Sequence, residues 1–427
     1  MLYTFAHTEI LNTATPYSNP YWLIEEHPPG MYVVNNPLMI GKPQNDYGPS
    51  VTYDLTIGGQ RLKIERPLVY KSVDPVKGEL YRPLEVLPPV TIGLADKVMI
   101  FRDSTAKQLL VTIKANAAGV SGNLVISNID GWKVSIADPA FTLANKGDEA
   151  RIPVMISRLP GGADQKLQIT ASVNGNSYGK SIRRLEYDHV PYQVMLSDAK
   201  VSLISIDLKK RGKNIGYIAG AGDDVPASLT QVGYNVTMLT DDMLASGNLI
   251  QYDAIVTGVR AYNVNDKLPR YHDRLMDYVK YGGNLIVQYN TNTRLGPMTA
   301  KPGPYPFTIS TQRVTDEHAA VTFVKPDHPA LNYPNRITQQ DFEDWIQERG
   351  IYFAADIDRN YETVLSMNDK GEKPNEGSLI IGKYGKGNFV YTGLVFFREL
   401  PAGNPGAYRL FVNLLSLPHN KVSNEKD

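Results

Sequence analysis

From about residue 197 onward, short apolar runs alternate with stretches of helical spacing. That alternation limits the fold more than any other feature of the chain. Strand-like Ile215–Ala219, Asn235–Leu239, Ala254–Thr257 and Asn284–Gln288 are separated by helix-like Ala227–Gly233, Asp241–Ser246 and Leu268–Tyr281. Apolar strands interrupted this regularly by helices belong in a parallel sheet covered on both faces. "LPRYHDRLMDYVKYGG" keeps apolar residues near helical spacing and stops on Gly282-Gly283, a helix C-terminal signal. "SLIIGKYGKGNFVYTGL" reads as a hairpin around Gly385–Gly387, and "PGAYRLFVNLLSL" as a closing amphipathic helix.

The first unit of that alternation, "NIGYIAGAGDDVPASLTQVGYNVTML", has the strand, glycine turn, helix and strand of a dinucleotide-binding unit. The fingerprint fails at its third glycine, where Val225 stands, and Asp223 and Asp224 would face the phosphates. Asp224 as N-cap and Pro226 in the first turn make ordinary helix capping the better reading. Nucleotide binding at this turn is not expected.

Upstream, residues 91–195 alternate with a period of two through "QLLVTIKAN", "GNLVISNIDGWKVSI", "EARIPVMISRL" and "QKLQITASVNGNSYGKSIRRLEY". Short strands between Gly/Asn/Asp turns predict an immunoglobulin-like β-sandwich, with Trp132 in its core. Residues 1–90 are rich in Pro and Tyr, with a hairpin of Val51–Ile57 and Arg61–Glu65 around Gly58-Gly59. A linker is expected near 74–90.

Lys+Arg and Asp+Glu are both 44 in 427 residues. This balance argues against a general nucleic-acid or anionic-membrane binder. No apolar run approaches a membrane span. There is no cysteine, which excludes disulfides, thiolate metal sites and a cysteine nucleophile. The seven histidines, His7, His27, His189, His272, His318, His328 and His419, show no zinc-ligand spacing, so neither metal nor cofactor is expected. The N-terminus lacks the basic-then-apolar order of a signal peptide and reads as a chain beginning inside something larger.

"YDAIVTGVRAYN" and "YVKYGGNLIVQYNTN" resemble the class I glutamine-amidotransferase-like fold, which makes residues 196–427 a flavodoxin-like α/β domain. The likeness is to its non-catalytic versions: ThuA-like proteins and the domain that trimerises some β-galactosidases. With "NPYWL", "DPVKGELYRPLEV" and "FFRELPAGNPGAYRLFVNLLSL", the whole chain looks like the C-terminal portion of large bacterial PIG-L/LmbE-type deacetylase proteins. In those, a zinc-dependent N-acetyl-sugar deacetylase precedes a sandwich region and an amidotransferase-like domain. The deacetylase signature Ala-His-Pro-Asp-Asp-Glu is absent, and "PDHPAL" is only a superficial echo. Amidotransfer needs a thiolate at a tight strand-to-helix turn with a histidine to activate it. The matching turn is Tyr289-Asn290-Thr291-Asn292, and the family's His-x-Glu falls on Phe396-Phe397-Arg398 with Glu399 following. No catalytic residue is therefore assigned.

Ligands of open α/β sheets bind at the carboxyl ends of strands. That rule gathers Asp223, Asp224, Arg260, Tyr262, Asn290 and Asn292 over one crevice, polar and mixed in charge, suited to a neutral hydroxylated ligand. The Asn and Asp residues suit helix capping equally well. His328 and Glu343 join the crevice from a long irregular insertion between Thr293 and Ser378, and Trp345 or Tyr262 would stack on a sugar ring. In "QQDFEDWIQERGIYF", Asp344 and Glu348 are placed on one helix face, as a solvated pair or as acid/base or cation ligands. Arg398 and Arg409 flank the last strand and helix, within reach of the crevice.

The resulting expectation is a non-catalytic, carbohydrate-associated accessory region that places or assembles an upstream deacetylase of the same gene product. Two alternatives stand beside it. One is a Cys-independent enzyme acting on a sugar derivative in the crevice; the other is a homo-oligomerisation module. The resemblance and the missing cysteines lean toward an exported, periplasmic bacterial protein.

Overall fold

The computed structural model describes all residues except 1–5, 7, 9, 13, 29, 46, 47, 295–297, 299 and 420–427; His7 and much of the extreme N-terminus thus lie outside the described residues. The chain forms two compact units. One comprises residues 1–97, 106–159 and 165–202, and the other 98–105, 160–164 and 203–427.

The first unit is a β-sandwich with hairpins on its N-terminal side. One sheet runs Val90–Leu94, Lys107–Ala115, Glu149–Arg158, Trp132–Ile136, all antiparallel. The other pairs Ala140–Leu143 with Val120–Ile126, and Val120–Ile126 with Gln165–Val173. Alternate side chains are buried, as in Leu109, Val111 and Ile113 or Ile152, Val154 and Ile156, which is the period a half-buried strand imposes. Trp132 lies in this core.

Residues 50–67 form the expected hairpin, with Gly58 and Gly59 both at positive φ. The linker expected near 74–90 is not one. Gly78–Pro83 is a strand pairing with Val69–Asp74, and Lys77, Arg82 and Glu85 form ion pairs with Asp188, Glu186 and Arg184. Prolines at 83, 88 and 89 suggested a break. Pro83 closes the strand, at the end of a two-stranded ribbon that needs no N–H from it, and Pro88 and Pro89 lie in irregular chain before Val90.

The second unit is built on seven strands: β1 (Asn214–Ile218), β2 (Asn235–Met238), β3 (Ala254–Thr257), β4 (Asn284–Gln288), β5 (Tyr361–Thr363), β6 (Leu379–Tyr384) and β7 (Gly387–Thr392). Their order is β2-β1-β3-β4-β7-β6-β5. The pairs from β2 to β7 are parallel, and β6 and β5 extend the sheet antiparallel. Its helices are α1 (Val225–Gln231), α2 (Asp241–Ser246), α3 (Ala261–Val264), α4 (His272–Lys280), α5 (Pro329–Asn332), α6 (Phe396–Ala402) and α7 (Pro405–Leu415).

β3 and β4 are buried at every position, because helices cover both faces. Val256, Ile286 and Val390 pack with α1, α6 and α7 in one core; Ile255, Leu285, Val287 and Phe389 pack with α4 in the other. α7 is buried almost all round. Asn404 caps it by accepting the Ala407 N–H, and Pro405 fills its first turn.

The expected helix over residues 339–353 is absent. A single 3-10 turn, Gln339–Phe342, is followed by left-handed backbone at Asp344, Gln347 and Tyr352. Asp344 and Glu348 therefore share no helix face.

Candidate functional site

The glycine turn after β1 is closed by the chain itself. A Cβ on Gly220 would lie 2.1 Å from the Val259 carbonyl oxygen, so only glycine lets these two loops touch. The Ala221 N–H donates to that same oxygen at 2.8 Å. Asp223 then occupies the place an anion would take. Its Oδ1 accepts the Val225 N–H at the start of α1 and the Tyr217 hydroxyl, and its Oδ2 accepts the Val259 N–H. Asp224, expected to cap α1, is exposed and makes no side-chain cap bond. The capping role belongs to its neighbour.

Behind this turn, the Tyr217 hydroxyl accepts from Gln288 Nε2 at 3.1 Å, and Gln288 also donates to the Thr257 carbonyl. The ends of β1, β3 and β4 are thus tied by one buried polar network. Burial and the Asp223 carboxylate both push the Tyr217 phenol upward, so it remains a neutral donor.

The sheet brings the groups after β3 and β4 together, and most are occupied. Asn290 is fully buried; it accepts the Tyr262 N–H at 2.9 Å and donates to the Gln288 carbonyl at 3.0 Å. Asn292 accepts from the Met298 N–H and donates to the Ile309 carbonyl. Tyr262 is buried, with its hydroxyl unpartnered, so it offers no face for stacking, contrary to the expectation from sequence. Arg260 is exposed with φ +57, and its N–H donates to the Tyr289 carbonyl.

The accessible part of this edge centres on Tyr289. Its ring stacks on Tyr352 at 5.6 Å and leans on Phe397 at 5.3 Å. Burial raises its phenol, opposed by the nearby charges of Arg260 and Arg398 and reinforced by Tyr352 and Glu348. Arg398 lies over the Phe397 ring at 4.9 Å, with its Nε 3.3 Å from Glu348. Beneath, Glu399 is fully buried: Oε1 accepts the Ile346 N–H, Oε2 has no partner, and desolvation pushes the carboxyl up to about 8.

The insertion does not deliver its expected residues to this edge. Trp345 is 2% exposed, stacked on Phe342, with its indole N–H donating to the Asp341 carbonyl. It is a core residue, because the left-handed turns at 344 and 347 fold the segment inward. His328 caps α5: its Nδ1 accepts the Ala330 N–H, which leaves the proton on Nε2, 3.2 Å from Glu362. Glu343 lines a separate cavity of about 360 Å³ with His318, Gln339 and Arg349, and none of the strand-end groups borders it. Arg409 pairs with buried Asp341 instead of facing the crevice.

Tyr352 is not singled out by the sequence; Glu348 stands out only beside Asp344, and Phe397 only at the family's His-x-Glu position, neither as a crevice residue. Tyr352 and Glu348 reach the site through positive-φ turns without glycine, which carry no sequence signal. Among the described residues no three His, Asp or Glu side chains cluster to hold a metal, and no helix is long and apolar enough to cross a membrane.

No protein-family model and no curated protein matches the chain. Among solved structures, a FixG-related protein from Vibrio parahaemolyticus is similar over 28% of this chain and 98% of its own, at 11% identity and TM-score 0.18. Activated alpha-2-macroglobulin from Escherichia coli is similar over 41% of this chain and 18% of its own, at 16% identity and TM-score 0.20. An immunoglobulin-like protein from Nocardia farcinica is similar over 26% of this chain and 96% of its own, at 10% identity and TM-score 0.13.

Proposed function

We propose that the chain is a non-catalytic, carbohydrate-associated accessory region of a PIG-L/LmbE-type deacetylase protein, and that its second unit is a flavodoxin-like, class I glutamine-amidotransferase-like domain without amidotransferase chemistry. The family assignment rests on the sequence resemblance. The parallel order β2-β1-β3-β4-β7 is the one expected of a flavodoxin-like sheet, with β1 and β3 flanking the point where the order reverses.

One observation carries the non-catalytic reading. The turn after β4, where such a fold holds its nucleophile, presents Tyr289, and its charged neighbours are Arg260, Arg398 and Glu348, with no histidine among them. Asp223, Asn290 and Asn292, the groups placed to polarise a substrate, already bond backbone groups. Burial raises the phenol, which further weakens it as a nucleophile.

The half-buried aromatic face of Tyr289, flanked by exposed Arg260, supports a weak carbohydrate site. A glycan array of N-acetylated oligosaccharides tests it. Binding by the native chain should be lost in Arg260→Ala, while the melting temperature falls by no more than a few degrees. Unchanged binding in that folded variant removes Arg260 and its crevice from the reading. The second reading, a Cys-independent enzyme, draws on the Glu348–Arg398 pair beside Tyr289.

A further inference from the structure

A second cavity lies at the opposite, amino-terminal edge of the same sheet. It measures about 510 Å³ and is bordered by Arg211, Asp253, Tyr333, the hairpin turn Lys383–Asn388 and the segment Leu415–His419. That volume falls within the usual range of small-molecule sites. Ligands of open parallel sheets gather at the carboxyl ends of strands, so nothing in the crevice described above accounts for a cavity at this end.

Its floor is rigid. Asn284, fully buried at the start of β4, donates to the carbonyls of Leu415 and Leu417 and accepts from Asn388 Nδ2, which also donates to the Pro418 carbonyl. These bonds fasten the chain leaving α7 and satisfy carbonyls at that helix end. The hairpin turn is equally fixed. Cβ atoms on Gly385 and Gly387 would meet the Lys280 and Val279 carbonyls at 2.5 and 2.2 Å, and the Lys386 N–H donates to the Lys280 carbonyl.

The walls carry an excess of positive charge. Arg211, Lys383 and Lys386 border the cavity, and none has a carboxylate partner among the described residues. One carboxylate borders the cavity, Asp253, whose Oδ2 accepts the N–H groups of Lys213 and Asn214. The Arg211 guanidinium lies 5.8 Å from the Tyr333 ring centroid, so one wall offers an aromatic face beside a planar cation.

We propose that this cavity binds a small phosphate monoester, with the phosphate held by Arg211, Lys383 and Lys386 and the organic body against Tyr333 and Leu417. Three cations without a carboxylate partner among the described residues fit a dianion with three acceptor oxygens better than a single carboxylate. Tyr333, Leu417 and Pro418 also border the cavity, and would meet a compact organic group on the phosphate. The ordinary alternative is that these cations only complement the C-termini of α4 and α7.

Calorimetry on the full chain, with inorganic phosphate and glucose 6-phosphate as probes at low salt, decides between them. The proposal expects saturable binding of both, with glucose 6-phosphate the tighter at a dissociation constant below about 1 mM. Affinity should weaken as salt is raised. The Lys383→Gln/Lys386→Gln double variant should lose at least about tenfold in affinity with an unchanged melting temperature, both side chains being exposed. Arg260→Ala, in the crevice, should bind as the native chain does, which separates this site from any carbohydrate bound there. Absence of saturation for both probes at about 10 mM would overturn the proposal. So would equal affinity in the double variant, or a double variant that loses stability but not phosphate.

Discussion

Asp223 shows how one side chain closes a site that the surrounding backbone would otherwise open. A glycine turn leading into a helix N-terminus is a ready anion site. Here the anion is internal, bonded to Val225, Val259 and Tyr217. Asp223→Ala leaves three donors without their acceptor and should cost about 2–4 kcal/mol in urea unfolding, whereas exposed Asp224→Ala should stay within about 0.5 kcal/mol. Equal effects would mean that the turn is held otherwise. Glu399 carries a prediction of its own. Its carboxyl is raised from 4.5 to about 8 in the folded chain, so between those values the folded state binds more protons than the unfolded. Its contribution to stability is complete below pH 4.5 and is lost as pH rises toward about 8, with a slope of at most about 1.4 kcal/mol for each pH step of one. Glu399→Gln keeps an acceptor for the Ile346 N–H and should flatten the slope of melting temperature between about pH 5 and 8. A slope unchanged in that variant would assign the pH dependence to other groups.

Among the strands and helices, what was legible follows from burial. The strands β1 to β4 lie within one residue of their expected limits, because a strand covered on both faces must be an apolar run bounded by polar turns. The Gly58-Gly59 hairpin was legible through its turn chemistry, whereas the closing helix α7, expected to be amphipathic, is buried almost all round. The segment 339–353 was not. Its aromatics and charges have near-helical spacing, yet Asp344 and Gln347 adopt left-handed backbone that no glycine announces, and Trp345 turns into the core. The placement of Arg260 and Asn290 just after β3 and β4 was legible from the alternation alone. That of Tyr352 was not, and Glu348 stood out only as a helix-face partner of Asp344, since both arrive from that irregular segment. Trp345→Ala should therefore act as a core deletion, costing about 3–5 kcal/mol in denaturant unfolding. A loss of glycan binding without a loss of stability would restore Trp345 as a ligand contact.

Across the whole molecule, the sandwich unit and the α/β unit each bury their own apolar alternation, while the polar groups at the carboxyl edge of the parallel sheet are largely bonded to the chain itself. Here these groups lock the loops at that edge of the sheet. No turnover is therefore expected at Tyr289. The decisive assay follows ammonia and acetate released by the purified chain from glutamine and from N-acetylated chito-oligosaccharides, in parallel with Tyr289→Phe and Glu348→Gln. Release should match protein-free controls for the native chain and for both variants. Turnover by the native chain that disappears in either variant would contradict the non-catalytic reading.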